Sequence, residues 1–477
     1  MSYDRKEFFI DGRWVAPASS GTIEVVSPHT EEVIASVPDG SPADIDAAVA
    51  AARRAFDEGP WRRFGPQERA DALDRLAQAY SARLDELATT ISAEMGAPIL
   101  FSQLAQVPVP LMMLQYFSEL ARSFEFEERR QGPLSASIVR HEPVGVVGAI
   151  APWNVPQFTA MSKLAPALAA GCTAVLKPSP ETPLDGYLLA EAVLEAELPE
   201  GVVNIVAAGR ESGEHLVTHP GIDKVAFTGS TAAGRRIASL CGERLRPVTL
   251  ELGGKSAAIV LDDVDLEAFT EGLTLASFLN NGQGCIAQTR ILASAERYDE
   301  VLDAVAEVAS SLRIGDPMDP ATEIGPLVSE RQRSRVEGYL EVGRQEGARV
   351  VTGGGRPNGM DRGWYVEPTV FADVDNSMRI AREEIFGPVL VVIRYEDEAD
   401  AIRIANDSEY GLAGSVWTSD EEHGADVARA VETGTLGINK YVMDLASPFG
   451  GWKASGLGYE FGPEGLLAYL RSKSIAV

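Results

Sequence analysis

The chain has 477 residues, 45% apolar and 23% charged, an ordinary globular composition long enough for two or three domains. Its 42 basic and 70 acidic side chains leave a net charge of −28, which argues against a nucleic-acid or anionic-membrane partner, since both need a basic surface. Three cysteines without regular spacing argue against a disulfide framework and for a reducing compartment; with only five histidines beside them, no metal site is expected.

Met1 to Pro17 carries Asp4, Arg5, Lys6 and Glu7 and a three-residue apolar run before Asp11, which reads as neither a signal peptide nor an anchor. Apolar runs such as Val144–Pro152 fall far short of the ~20 residues of a spanning helix, so a cytoplasmic protein is expected. Residues 42–56 and 66–95 read as Ala-rich helices with Asp44 and Glu68 near their starts. Segment 123–142 is charged at Glu127-Glu128-Arg129-Arg130-Gln131 and then alternates to Arg140, as an exposed hairpin would. Arg471–Val477 reads as a terminal strand. Unpaired strands are a liability, so both segments are expected to meet another subunit.

From 144 to 260 strands and helices alternate. Strands are expected at Val144–Ala151, Thr173–Leu176, Val202–Val206, Lys224–Phe227, Val248–Leu250 and Ala257–Leu261, with helices at 157–170, 183–197, 211–218 and 231–241. This rhythm implies βαβ units and a parallel sheet covered on both faces, with ligands at the carboxyl ends of its strands. A second alternation has helix 265–281, strand Thr289–Leu292, helix 297–312, strand Val389–Arg394 and helix 398–406. The stretch 313–365 reads as surface loop around a helix at 329–346.

Asn281-Gly282-Gln283-Gly284-Cys285 places a cysteine on a loop with backbone N–H groups nearby and room for a ligand, as a nucleophile requires. Cys172 and Cys241 sit instead among apolar residues, as packing cysteines do. Phe227-Thr228-Gly229-Ser230-Thr231-Ala232-Ala233-Gly234 follows a strand and opens a helix: Gly229 permits a tight turn, Ser230 or Thr231 caps, and the exposed N–H groups suit an anion. It is neither GxGxxG nor a P-loop. Lys177-Pro178-Ser179-Pro180 ends a strand of the same sheet, where a lysine can reach a ribose or phosphate. Asn154, between Pro152 and Pro156, is a fixed amide of the kind an oxyanion hole uses. Glu251 lies between two leucines, and an apolar setting raises a carboxyl pKa and makes it a usable base. Singly, each also has an ordinary reading: a packed cysteine, a capped helix, a solvated lysine, a turn asparagine, a strand-end glutamate.

Together these stretches resemble the aldehyde dehydrogenase superfamily over nearly the whole chain. Asn154, Lys177, Gly229–Gly234, Glu251, Cys285, Glu383-Glu384-Ile385-Phe386-Gly387-Pro388 and Ser447-Pro448-Phe449-Gly450-Gly451 occur in that family's order and spacing. The resemblance implies an α/β fold with a Rossmann-like coenzyme domain (1–122 and 144–252), an α/β catalytic domain (253–450) and a small β oligomerisation element (123–143 and 467–477) in a homodimer or homotetramer. It implies oxidation of a small-molecule aldehyde to an acid, with NAD as cofactor and NADP tolerated. Cys285 would attack the carbonyl, Asn154 and the Cys285 N–H would hold the oxyanion, and Glu251 would activate the hydrolytic water. Nearby positive charge is expected to favour the Cys285 thiolate. Lys177 would bind the adenine ribose, Ser230 and its helix the pyrophosphate, and Glu384, beside Phe386, the nicotinamide ribose. Trp153, Ser179, Gly209, Arg210, Gly229, Thr231, Gly234 and Leu252 would complete the coenzyme contacts, and Glu460 would relay protons.

One departure bears on the cofactor. Many of the family's NAD-preferring members carry a glutamate three residues after the lysine; here that position is Pro180, Glu181 follows it, and Arg210 would face a 2′-phosphate. The tunnel positions Val155, Thr159, Ser162, Ile286, Met443 and Phe449 imply an uncharged aliphatic, terpenoid or aromatic aldehyde. The competing readings are an NADP-preferring semialdehyde dehydrogenase, a non-catalytic ligand-binding protein on the same fold, and a cysteine hydrolase, which leaves the glycine turn and Glu384 without a role.

Overall fold

Five short, almost wholly buried strands form the centre of the first sheet in a computed structural model that describes residues 4–477. They run parallel in the order Val203–Ile205, Thr173–Lys177, Val146–Ile150, Lys224–Thr228, Val248–Glu251. Their near-continuous apolar sequence is what a sheet covered on both faces requires. The antiparallel pair Phe8–Ile10 and Arg13–Val15 closes one edge and Gly456–Leu457 the other. Chain order reverses at Val146–Ile150, whose neighbours are the strand after it and the strand Lys224–Thr228. A crevice therefore opens at the carboxyl ends of those two strands.

A second sheet has seven strands in the order Arg349–Thr352, Thr369–Ala372, Val389–Tyr395, Arg290–Ser294, Ala257–Val260, Gly414–Trp417, Gly437–Ile438. All its pairings are parallel except the first. Glu251 ends a strand of the first sheet, and six residues later Ala257 begins a strand of the second. The 251–256 connection and the loop before Arg290 thus bring carboxyl ends of one sheet to amino ends of the other.

The alternation from 144 to 260 appears as expected, with ends shifted by a residue or two. The stretch 313–365, expected as surface loop around a helix, also holds strand Arg349–Thr352, which pairs with Thr369–Ala372. Three further readings change. The expected helix 66–95 is two helices, Pro66–Ser81 and Leu84–Met95, broken at Ala82 and Arg83. The expected helix 265–281 ends at Leu273, and a π turn, Thr274–Phe278, follows. The hairpin and the terminal strand meet each other: Leu470–Ala476 pairs antiparallel with Ala136–Pro143, which pairs with Glu127–Gln131. Their liability is thus reduced to two outer edges. No helix among the described residues is long and apolar enough to cross a membrane.

Candidate active site

The nucleophile turn is built from three successive residues in the left-handed region: Asn280 (φ 54°), Asn281 (φ 62°) and Gly282 (φ 70°). Asparagine tolerates this conformation because its short amide bonds locally, and glycine because it has no Cβ. The Asn281 amide donates to the carbonyls of Gly96 and Pro326, 2.9 Å each, and its Oδ1 accepts from the Gly325 N–H at 2.6 Å. Gln283 Oε1 accepts from the Val328 N–H at 3.1 Å. A Cβ on Gly282 would lie 2.3 Å from the Gly387 carbonyl carbon, so this position must be glycine. Three distant segments, at Gly96, Gly325–Val328 and Gly387, therefore clamp the turn, and Cys285 emerges from it only partly buried.

Asn154 packs beneath it. Its Nδ2 donates to the Gln283 carbonyl at 2.9 Å, and its own carbonyl accepts from Asn280 Nδ2 at 2.9 Å. One Nδ2 hydrogen remains for an oxyanion. The electrostatics differ from the sequence expectation. Burial pushes the Cys285 thiol up to about 12, and the carboxylates of Glu384, Glu251 and Glu460 add to the rise; only its own backbone N–H opposes. Carboxylates, not cations, are the charges that act on this thiol.

Glu251 ends its strand buried, with no hydrogen bond to either carboxylate oxygen. Burial and then Glu460 push its pKa well above the ordinary carboxyl value, against the pull of Lys163 and of the Gly451 N–H, which lies near but outside hydrogen-bond geometry. Lys163 Nζ binds Glu460 Oε1 at 2.8 Å and Thr228 Oγ1 at 2.6 Å. Sequence reading missed Lys163. Its signal was there: it is the one charged side chain of the buried helix Pro156–Ala170. A lone buried ammonium needs a buried carboxylate, and Glu460 supplies it.

The coenzyme candidates line the crevice. The Gly229 N–H donates to the Glu251 carbonyl at 3.0 Å, which places the glycine turn beside the base. Ser230 caps helix Thr231–Gly242 by accepting from the Ala233 N–H at 3.3 Å, leaving other first-turn N–H groups for an anion. Gly234 abuts Leu252: a Cβ there would lie 2.4 Å from the leucine side chain. Thr231 Oγ1 donates to the Ala454 carbonyl at 3.4 Å. Lys177 is buried and donates to the carbonyls of Ala208 (2.7 Å) and Pro178 (2.9 Å); burial lowers its pKa to about 8. Ser179 donates to Glu181. Gly209 starts helix Arg210–Thr218, with Arg210 exposed in its first turn. On the other side, Glu384 accepts from the Gly254 N–H at 3.0 Å, and Phe386 meets Trp153 edge-on with centroids 5.3 Å apart. Burial raises Glu384, against the Gly254 N–H, Arg335 and Lys255.

Cys285 also borders the largest apolar cluster, with Ile286, Phe449, Phe461, Phe158, Tyr441 and Met443. Phe461 sits 5.6 Å from both Phe158 and Phe449, centroid to centroid. Of the expected tunnel residues, Thr159 and Ser162 turn their hydroxyls back onto helix carbonyls, so they present little polarity. Glu464 and Asp444 act on Tyr116, which packs against the same cluster, while Arg69 and Lys224 lie over its Phe126 and Tyr469 rings.

One spacing carries a site-like group that the sequence reading passed over. His215 and His219 are four residues apart, with Nε2 atoms 2.6 and 3.3 Å from Asp46 Oδ1. His219 Nδ1 accepts from the Gly221 N–H at 2.9 Å, which puts the ring proton on Nε2, facing Asp46. A metal would need that lone pair, so the trio acts as a joint between helices Pro42–Asp57 and Arg210–Thr218.

A model of the aldehyde dehydrogenase family matches residues 14–475. Geranial dehydrogenase of Castellaniella defragrans is 53% identical over all of this chain and 99% of its own length. A Mycobacterium tuberculosis aldehyde dehydrogenase complexed with NAD+ superposes with a TM-score of 0.98 at 50% identity, covering 100% of this chain and 99% of its own. A mutant of Pseudomonas syringae aldehyde dehydrogenase C, complexed with NAD+ and octanal, superposes with a TM-score of 0.96 at 42% identity, covering 99% and 96%. With that family model over nearly the whole chain and a relative 53% identical along its full length, the chain belongs to the aldehyde dehydrogenase family.

Proposed function

We propose that the protein oxidises an apolar aldehyde, terpenoid or medium-chain aliphatic, to the carboxylic acid with NAD. The observation that carries this reading is the placement of Cys285 between the unpartnered Glu251 carboxyl and an aromatic-rich apolar cluster. The crevice residues fit a dinucleotide: a glycine turn, spare helix N–H groups, and a Lys177 donor not used by its two carbonyl partners.

The Cys285 sulfur adds to the carbonyl carbon, and the spare Asn154 N–H with the Cys285 N–H holds the resulting oxyanion. Bound NAD would supply the hydride acceptor, so that loss of hydride from the Cys285 adduct would leave an acyl thioester on Cys285. Glu251 removes a proton from water, the hydroxyl adds to the thioester, and the carbon–sulfur bond breaks to free the acid and the thiolate. Burial and Glu460 raise its pKa, which makes the carboxylate a stronger base toward water. Glu460, held by Lys163 at 2.8 Å, acts on Glu251 by charge and would receive its proton through a bridging water. Two known relatives support an apolar substrate, one named for geranial and one seen with octanal.

The test is a substrate panel followed by NADH fluorescence. Geranial and octanal should give a kcat/KM at least about tenfold above succinate semialdehyde, as expected when binding uses apolar contact alone. A clear preference for the semialdehyde overturns the substrate reading. Cys285→Ala should abolish turnover. Glu251→Gln should leave a burst of about one NADH per site and slow steady turnover by about 10²–10⁴-fold.

A further inference from the structure

The loop after strand Thr173–Lys177 has a carboxylate where Pro180 had suggested none. Pro178, Pro180 and Pro183 restrict its backbone, and the Thr182 N–H donates to the Ser179 carbonyl at 3.3 Å. Within it Glu181 Oε2 accepts from Ser179 Oγ at 2.5 Å, and Oε1 accepts from Arg331 Nη2 at 3.0 Å. Glu181 is thus folded back over Ser179 rather than pointing into solvent.

Arg331 comes from across the crevice. It stands in the first turn of helix Glu330–Gln345, whose Gln332 and Arg335 donate to the carbonyls of Phe386 (2.7 Å) and Glu384 (2.6 Å). One helix therefore touches both ends of the groove. The Arg331 side chain is 83% exposed and that of Glu181 24%, so the pair adds little to stability, and its consequence is where it holds the carboxylate. In a doubly wound sheet the end of the second strand meets the adenine ribose. A carboxylate there binds the 2′-hydroxyl, and an arginine accommodates a 2′-phosphate.

We propose that Glu181, oriented by Arg331, is the carboxylate that meets the adenine ribose and selects the coenzyme lacking a 2′-phosphate. It rests on the coenzyme reading above. Glu181 then does from the next position what Pro180 cannot, and Arg331 is its positioning residue. A 2′-phosphate entering beside Ser179 would meet a like charge. With that charge removed, Lys177, Arg210 and Arg331 would outnumber Asp39, the carboxylate that still acts on Lys177 and accepts from the Gly209 N–H at 3.0 Å.

Binding of NAD+ and NADP+ by calorimetry without aldehyde, together with kcat/KM for each, tests this. Glu181→Gln should cut the NAD-to-NADP selectivity about tenfold or more, mainly through tighter NADP. Arg331→Ala should raise the KM for NAD about threefold at unchanged kcat, with partial rescue in Arg331→Lys. An unchanged selectivity in Glu181→Gln, with both coenzymes still bound, overturns the assignment alone. Failure of the unsubstituted protein to bind either coenzyme overturns the coenzyme reading and this assignment with it.

Discussion

The thiol of Cys285 sits near carboxylates and is pushed up to about 12, first by burial and then by Glu384 and Glu251. In the coenzyme-free protein the reactive anion is therefore scarce at neutral pH, and it grows as pH rises toward that value. Alkylation by iodoacetamide should accordingly be slow at pH 7 and speed up steadily through pH 10. At pH 9 Glu384→Gln removes the strongest of these charges and should raise the rate by up to about tenfold, the effect of one pKa unit. A rate that levels off below pH 8 would contradict this picture. A positive charge arriving among these carboxylates would stabilise the thiolate.

The turn 280–284 and the helices around it act as units. Asn281 serves three backbone partners from Gly96, Gly325 and Pro326. Asn281→Ala strands those groups and puts an alanine at φ 62°. We expect a loss of about 2–4 kcal/mol in chemical denaturation, from buried groups left unpaired and from backbone strain. A cost below 1 kcal/mol would mean the turn holds itself. A second unit joins the helices ending at Met95 and beginning at Pro156 and Leu184. Glu94 accepts the N–H groups of Leu184 (2.8 Å) and Asp185 (3.1 Å), and Asp185 accepts from Gln157. Burial raises both acids, Asp185 to about 7. Folded-state pKa values above the unfolded ones mean that stability is full below about pH 4 and is lost as pH climbs toward about 7. Thermal melts of Asp185→Asn should show a smaller loss over that window than the parent protein; an identical pH slope would dismiss the pair as its source.

At the scale of the molecule, the three-stranded sheet of 127–131, 136–143 and 470–476 keeps two outer edges, and the terminal strand is almost wholly exposed. Such edges pair readily with another chain. We expect sedimentation to show a homodimer or homotetramer, and truncation after Tyr469 to reduce the assembly to smaller species. A truncated protein with unchanged mass in solution would separate this sheet from assembly.

The amino-acid sequence by itself determined the parallel sheet from 144 to 251, because buried strands are continuous apolar runs and their helices keep a 3.6 period. It also marked Cys285, Glu251, Asn154 and the glycine turn, because rare residue types in a fixed order survive without coordinates. Lys163 was legible only as an oddity, since its partner Glu460 lies 297 residues away. The end of the helix at Leu273 was hidden, because apolar residues continue through the π turn Thr274–Phe278. The charge around Cys285 and the fold-back of Glu181 onto Ser179 belong to the tertiary structure alone. A sequence gives the charges but not their separations, and an electrostatic interaction is set by distance and burial.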